Sequence, residues 1–256
     1  MKIAGFQMRS AVGDVEANLE QLDKAAERAS AAGARLLVAP ELALTGYGAA
    51  DRFPDLASPA DSPLTERLSE IATHRGLAII AGFAEKNGDT VYNSALLTDG
   101  RGQTSVYRKS HLYGPYERQW FRPEAPSSVL ATVDGIKLGM LICYDVEFPE
   151  NVRRLAKAGA DLIVVPTALP TGWSGRFIAE HMIRVRAFEN QVFVAYINHC
   201  GADAHFSYAG LSCIAAPDGR LLAEAPADGE ALIFADVDSA AFAQSRAENT
   251  YLDDLQ

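Results

Sequence analysis

Gly139-Met-Leu-Ile-Cys-Tyr-Asp-Val-Glu-Phe-Pro-Glu150 is the stretch around which the rest of the chain is organised. Apolar residues lead up to Cys143, and a helical pattern then runs from Pro149 to Ala158 and stops at Gly159. Proline suits the first position of a helix, an acidic residue suits the first turn, and glycine suits the end. The stretch therefore predicts a thiol at a strand-to-helix turn, where free backbone N–H groups can stabilise a thiolate.

A single cysteine is more often a small buried hydrophobe than a nucleophile, so the function depends on partners elsewhere in the chain. Glu41 follows the apolar stretch Leu36 to Ala39, and Lys109 follows the predicted strand Thr104 to Arg108. Side chains just past strand ends can meet at one edge of a sheet. A carboxylate, an ammonium group and a thiol supply the base, the oxyanion donor and the nucleophile of acyl transfer through a thioester.

The hydrophobic pattern predicts alternating helices and strands. Helices are predicted over Asp14 to Gly33, Ser62 to Arg75, Asn151 to Ala158 and Ser174 to Asn190. Strands are predicted over Lys2 to Met8, Leu36 to Ala39, Leu77 to Ala84, Val91 to Thr98, Thr104 to Arg108, Ser128 to Val133, Ile136 to Ile142, Asp161 to Val165, Val192 to Asn198, Tyr208 to Ala215, Leu221 to Ala225 and Ala231 to Val237. Ser110 to Pro126 is predicted to be a long functional loop, and the tail from Ala240 shows no periodicity.

Two stretches share one pattern. Ala32 to Pro40 and Ala158 to Pro166 each contain a helix end, a glycine, an apolar strand and a closing proline. The match indicates two related sheet-and-helix halves, although such junctions are common enough for chance to produce it. If the halves are related, Glu41 and Thr167 follow equivalent strands and face the same rim.

The composition narrows the class of protein. The chain has 256 residues, of which 48% are hydrophobic, so it can form a sizeable core. The net charge of −10 gives no reason to expect a nucleic-acid or membrane partner. Three cysteines suit a reducing compartment, and no long apolar segment or cleavage site is evident, so we expect a cytoplasmic location. The grouping of His199, Cys200 and His205 fits no common zinc spacing, and no metal site is predicted.

The short sequence motifs around Glu41, Lys109 and Cys143 resemble the signatures of the nitrilase, or carbon–nitrogen hydrolase, superfamily. Members of this superfamily use a Glu-Lys-Cys triad. The resemblance covers nearly the whole chain, in the expected order. It implies an α/β fold, a four-layer α-β-β-α sandwich with two mixed β-sheets, formed by residues 1–256 as a single domain. It also implies a homodimer or higher homo-oligomer and no cofactor.

The resemblance implies a role for each residue. Cys143 would be the nucleophile and Glu41 the general base, while Lys109 and the backbone N–H of Tyr144 would stabilise the oxyanion. A second catalytic glutamate, present in many amidase branches, matches Glu117, with Glu124 as the alternative. The predicted substrate-binding residues are Tyr144, Glu147, Thr167, Trp173 and Tyr47.

The residues that follow the proposed nucleophile, Cys143, indicate the class of substrate. Branches that act on acids usually have arginine where this chain has Val146 and Glu147, so no guanidinium is available to hold a carboxylate. The word Cys-Tyr-Asp-Val-Glu-Phe-Pro-Glu looks most like bacterial amidases that act on short amides, including 5-aminopentanamide. We therefore expect a small neutral or cationic aliphatic carboxamide, and an acidic pocket rim formed by Glu147, Asp203 or both would favour an amine terminus. The alternatives are hydrolysis of N-carbamoyl compounds or nitriles, thioester acyl transfer, or a non-catalytic binding protein on the same scaffold.

Overall fold

The computed structural model describes residues 1–255, and its centre is a pair of six-stranded β-sheets. The first sheet contains three parallel strands in its middle and antiparallel strands at its edges. Its strands, in spatial order, are β12 (Ala231–Asp236), β1 (Lys2–Gln7), β2 (Leu36–Val38), β3 (Ala78–Asn87), β4 (Thr90–Thr98) and β5 (Thr104–Arg108).

The second sheet repeats this arrangement, again with three parallel strands in the middle. Its strands, in spatial order, are β11 (Leu221–Glu224), β10 (Cys213–Ala215), β9 (Phe193–Asn198), β8 (Leu162–Thr167), β7 (Ile136–Met140) and β6 (Leu130–Val133). Met8, just past β1, forms a parallel bridge with His199, just past β9. The two sheets are therefore joined at the carboxyl ends of their parallel strands.

The helices include a continuous segment that spans α6, a π-helical stretch over Ile178–Met182, and α7. The α-helices are α1 (Val15–Ala31), α2 (Phe53–Leu56), α3 (Pro63–Arg75), α4 (Gly114–Trp120), α5 (Pro149–Lys157), α6 (Trp173–Phe177), α7 (Ile183–Asn190) and α8 (Ala243–Glu248). Within residues 1–255, no helix is long and apolar enough to cross a membrane.

Alternation along the strands builds the layers. In β2, Leu37 packs with α1 and α3 on the outer face, whereas Leu36 and Val38 belong to the cluster shared with the second sheet. Helices α5 and α7 cover the other face of the second sheet, and they contribute Val152 and Ile183 to the core. Burial of each such aliphatic side chain contributes roughly 1.5–3 kcal/mol. The predicted four-layer α-β-β-α sandwich with two mixed sheets is confirmed.

Local predictions fail mainly where elements are short. The stretch Ser110 to Pro126, predicted to be a loop, contains α4, whose seven residues are too few to show a helical period. The tail from Ala240, which shows no pattern, contains α8. The predicted strand Tyr208 to Ala215 forms a ladder only over β10, because Gly210 and Leu211 both adopt positive φ.

Candidate active site

Cys143 begins a 3₁₀ turn, Cys143–Glu147, that lies between β7 and α5. Its φ of +44° is rare for a residue with a side chain and must be held by the surroundings. The residue is 7% exposed. The structure thus places the thiol at a buried strand-to-helix turn.

Asp145 holds the start of this turn. Its Oδ2 accepts from the backbone N–H of Ile142 at 3.2 Å and from the Tyr107 hydroxyl at 2.9 Å. Its Oδ1 accepts from Ser110 Oγ at 2.9 Å and from the backbone N–H of His111 at 2.8 Å. One buried carboxylate therefore ties the cysteine turn to the segment that follows Lys109.

Arg186, a buried residue of α7, holds the other end of the turn. Its Nε donates to the carbonyl oxygen of Val146 at 2.9 Å, and its Nη2 donates to that of Glu147 at 2.6 Å. Charge-assisted bonds from a planar guanidinium restrict both peptide groups. The backbone between the thiol and the Glu147 side chain is therefore fixed from both sides.

Lys109 lies just past β5 and is fully buried. Its Nζ donates to Glu41 Oε1 at 2.6 Å and to Glu117 Oε1 at 2.7 Å. Burial alone would lower the pKa of Lys109, but the charges of Glu117 and Glu41 outweigh it and raise this pKa well above its usual value. The ammonium group therefore remains charged between two carboxylates.

Glu41 follows β2 and has 0% exposure. Its Oε1 also accepts from Asn93 Nδ2 at 2.7 Å, whereas its Oε2 has no hydrogen-bond partner among residues 1–255. Burial and the charge of Glu117 raise the pKa of Glu41 to about 7, against the opposing effect of Lys109. A carboxyl group with this pKa can both take and release a proton near neutral pH.

Glu117 lies on α4, within the stretch predicted to be a loop. Its Oε1 accepts from the Tyr47 hydroxyl at 2.8 Å, and its Oε2 accepts from the backbone N–H of Tyr113 at 2.8 Å. The alternative residue, Glu124, instead contacts Arg108 at 3.2 Å. Of the two glutamates, Glu117 is therefore the one that contacts the lysine, and Tyr47 reaches the site through it.

The thiol of Cys143 is neutral in this arrangement. Burial raises the pKa of Cys143 well above its usual value, the charge of Glu41 raises it further, and Lys109 acts in the opposite direction. Formation of a thiolate therefore requires a group that accepts the proton. Glu41, whose charge acts on the thiol, is suited to that task.

Glu147 has a half-buried carboxyl group that forms no hydrogen bond with residues 1–255. Burial raises its pKa to about 7, and the charges of Lys109 and Arg186 act against that rise. Tyr196 on β9 was not predicted as a site residue. Its hydroxyl is fully buried, has no hydrogen-bond partner among residues 1–255, and feels the charges of both Cys143 and Glu147. The only signal for Tyr196 in the sequence is a phenol within an otherwise apolar strand.

Three other predicted residues make their hydrogen bonds or ring contacts outside the group of Glu41, Lys109 and Glu117. Trp173 begins α6, is 77% exposed and stacks on Phe177 at 5.3 Å. The hydroxyl of Thr167 is buried and donates to the carbonyl oxygen of Val165 at 3.0 Å, so it is directed back to its own strand. Asp203 accepts from the Tyr208 hydroxyl and from backbone N–H groups of its own loop. None of these three side chains contacts Glu41, Lys109 or Glu117 through a hydrogen bond.

Comparison with known proteins identifies the class. The chain matches the carbon-nitrogen hydrolase family over residues 2–247. It is 44% identical to a hydrolase of Pseudomonas protegens, over 99% of this chain and 88% of that protein. It is 35% identical to an (R)-stereoselective amidase of Pseudomonas sp, over 89% of this chain and 82% of that protein.

The solved structures agree. A variant of the amidase from Nesterenkonia sp. AN1, which shows the result of Michael addition of acrylamide at its active-site cysteine, aligns with a TM-score of 0.89. The two chains are 33% identical, and the alignment covers 100% of this chain and 96% of the other. The protein belongs to the carbon–nitrogen hydrolase family of the nitrilase superfamily. It is a hydrolase of the kind that cleaves amide or nitrile carbon–nitrogen bonds.

Proposed function

We propose that this protein is an amidase that hydrolyses a short neutral or cationic aliphatic carboxamide to a carboxylate and ammonia through a cysteine thioester. The observation that carries the proposal is the position of Lys109 Nζ, 2.6 Å from Glu41 and 2.7 Å from Glu117, close enough to Cys143 for the charges of Lys109 and Glu41 to act on the thiol. This arrangement has a base, a nucleophile and a charged oxyanion donor in one buried site. The amidases among the similar proteins support the same reaction type.

The first half of the reaction transfers the acyl group to sulfur. Glu41 takes the thiol proton, and the thiolate of Cys143 attacks the amide carbon. The negative charge that develops on the carbonyl oxygen is stabilised by Lys109 Nζ and by the backbone N–H of Tyr144, which lies in the turn before helix α5. Glu41 then gives its proton to the departing nitrogen, so that ammonia leaves as the thioester forms.

The second half returns the enzyme to its starting state. Glu41, ionised again, deprotonates a water molecule that attacks the thioester carbon. The same two donors stabilise the second tetrahedral oxyanion, which collapses to the carboxylic acid as the sulfur leaves. The proton on Glu41 returns to Cys143. The mechanism assigns every proton transfer to Glu41, and Glu117 contacts Lys109. We therefore propose that Glu117 acts by holding the lysine in position.

The substrate class rests on Val146 and Glu147. A carboxylate substrate would meet the Glu147 side chain in a half-buried site where no free guanidinium compensates, because Arg186 is directed to backbone carbonyls. A neutral acyl chain avoids this repulsion, and an amine at its far end would gain a partner. Glu147 and the buried hydroxyl of Tyr196 would then contact the acyl portion.

We also propose that the protein is cytoplasmic and forms a homodimer or a higher homo-oligomer. Three free cysteines fit a reducing compartment. The helical segment from α6 to α7 exposes Trp173, Phe177 and Val185 at 77%, 41% and 49%. These apolar side chains lie on an outer layer, where a second copy can bury them.

The test is an ammonia-release screen of the purified protein on short amides, ω-amino amides, N-carbamoyl amino acids and nitriles, with Cys143→Ala as the matched control. We expect release from short amides, loss of release in Cys143→Ala, and an unchanged circular dichroism spectrum. Activity confined to N-carbamoyl acids or nitriles would contradict the proposed substrate class. Hydroxamate formed from hydroxylamine without appreciable hydrolysis would instead identify an acyltransferase, and normal turnover by Cys143→Ala would refute the mechanism.

A further inference from the structure

A groove of about 450 Å³ opens behind the catalytic segment, between α4 and the start of α5. We call it the arginine groove because Arg118 and Arg122 lie along it. Its apolar walls are formed by Leu112, Phe121, Pro123, Tyr144 and Phe148. Glu41, Lys109 and Cys143 do not line it, and the groove borders the site described above through Ser110, His111 and Tyr144.

The charge of the arginine groove is unusual for this chain. Within the part of the chain that the structure describes, no aspartate or glutamate lines the groove, although the full chain carries a net charge of −10. Across residues 1–255, Arg118 forms no ion pair, and the one hydrogen bond from the Arg122 guanidinium, at 3.3 Å, goes to the carbonyl oxygen of Phe121. Two exposed guanidinium groups are therefore available to an anion at the mouth of an apolar groove.

His111 adds a polar contact in the same groove. Its Nδ1 lies 3.0 Å from Asp145 Oδ1, and the carboxylate fixes the proton on that nitrogen. Its ring stacks on Phe148 with centroids 4.0 Å apart. Nε2 has no hydrogen-bond partner among the residues that the structure describes, so it can bind a ligand atom in the groove.

We propose that the arginine groove is a binding site for an amphipathic monocarboxylate, with its carboxylate on Arg118 and Arg122 and its apolar portion against Tyr144 and Phe148. Guanidinium groups pair with carboxylates through parallel hydrogen bonds. An inorganic anion would satisfy the arginines but leave the apolar walls uncovered, whereas an uncharged hydrophobe would leave the arginines unpaired. This inference concerns binding alone and does not depend on the proposed amidase reaction.

The experiment measures binding of benzoate, a probe with one carboxylate and one planar apolar ring, by isothermal titration calorimetry or ligand-observed NMR. Benzyl alcohol is the uncharged comparison and inorganic phosphate is the anion without an apolar portion. The protein variants are the double substitution Arg118→Gln with Arg122→Gln, and Arg28→Gln as a control at an exposed arginine outside the groove. Benzoate should bind in the millimolar range or tighter, and the double substitution should weaken it about three- to tenfold.

Several results would overturn the proposal. Benzoate binding that is equal in the double variant and in Arg28→Gln would place the probe elsewhere. Equal binding of benzyl alcohol would remove the role of the arginines, and displacement of benzoate by phosphate at equal concentration would remove the role of the apolar walls. Binding that appears only when an oligomer dissociates on dilution would assign the groove to a second copy of the chain.

Discussion

His199 Nε2 donates a hydrogen bond of 2.7 Å to the backbone carbonyl oxygen of Glu41, although the two residues follow strands of different sheets. His199 lies just past β9, and Glu41 lies just past β2. A serine hydroxyl, Ser10 Oγ, lies 3.3 Å from the other ring nitrogen. Because a partner on the second sheet holds the backbone of the proposed base, the position of Glu41 depends on how the two sheets pack together.

Protonation of His199 should destabilise the protein. Burial lowers the pKa of His199 from 6.5 to about 4. The unfolded chain therefore binds this proton at a higher pH than the folded chain does, so the contribution of neutral His199 to stability is complete above about pH 6.5 and falls as the pH drops toward 4. The His199 contribution lost between pH 7 and pH 4.5 should be on the order of 2–3 kcal/mol. Because the raised pKa values of Glu41 and Glu147 change stability in the opposite direction over this range, the contribution is measured as the difference in urea unfolding free energy between the wild type and a variant without His199.

The variant His199→Gln isolates this contribution. It should be less stable than the wild type at pH 7, because the bond to Glu41 weakens, and it should lose less stability between pH 7 and pH 4.5. Unfolding free energies of the two proteins that fall in parallel over this range would show that His199 does not carry the pH dependence.

Removal of the Glu117 charge should impair the proposed reaction. In Glu117→Gln, one of the two carboxylates that hold Lys109 Nζ is replaced by an amide, and the oxyanion donor becomes less well fixed. We expect kcat for ammonia release to fall about a hundredfold or more, with a smaller change in KM. Steady-state kinetics on the best amide from the screen would measure both.

Glu124→Gln is the matched control for this substitution. Glu124 lies in the same chain segment but pairs with Arg108 at the surface rather than with the lysine. Its variant should retain kcat within a few-fold of the wild-type value. Similar losses in both variants would mean that the segment, rather than the contact with Lys109, is responsible.

The acid limb of the pH–rate profile should reflect Glu41. The proposed mechanism needs this carboxyl group ionised, so kcat/KM should fall as the pH drops below about 7, the value to which burial raises the pKa of Glu41. Asn93 Nδ2 donates to Glu41 Oε1 and favours the charged form. Asn93→Ala should therefore raise this pKa and move the acid limb to higher pH.

The direction of that shift is the decisive result. Melting temperatures measured across the same pH range separate a change in ionisation from a loss of folded protein. An acid limb that stays in place, or that moves to lower pH, would argue against Glu41 as the base that the limb reports.

The fold and the order of the candidate residues could be predicted because they depend on hydrophobic patterns that extend over whole strands and helices. Alternation along β2 and the helical spacing of α1 identify buried faces, and short connecting segments limit the possible topologies. The similarity between the two strand ends at Glu41 and Thr167 is real in topology, since β2 and β8 are both central parallel strands. The hydroxyl of Thr167, however, turns back to its own strand, because side-chain direction is set by neighbours that a sequence pattern does not specify.

The contacts that hold the site could not be read from the sequence. No sequence pattern assigns a role to Arg186 or His199, yet each donates to backbone carbonyl oxygens of the proposed catalytic segments. These bonds join residues 40 and 158 positions apart, and the packing of the sheets and helices determines them. The position of Tyr196 near the site could not be predicted either, because a tyrosine in an apolar strand is most often a core residue.

The Glu147 carboxylate should set the preference of the enzyme for cationic over neutral amides. Its carboxylate has no hydrogen-bond partner among residues 1–255, so an amine at the far end of the acyl chain would gain a half-buried charge partner. In Glu147→Gln, the ratio of kcat/KM for 5-aminopentanamide to that for pentanamide should fall about tenfold, which corresponds to about 1.4 kcal/mol. Because the pKa of Glu147 is raised to about 7, the wild-type ratio should also fall as the pH is lowered through 7.

Glu150→Gln, at an exposed acid in the first turn of α5, is the control and should leave the ratio unchanged. An equal ratio in Glu147→Gln and in the wild type would place the amine-binding site elsewhere or show that none exists.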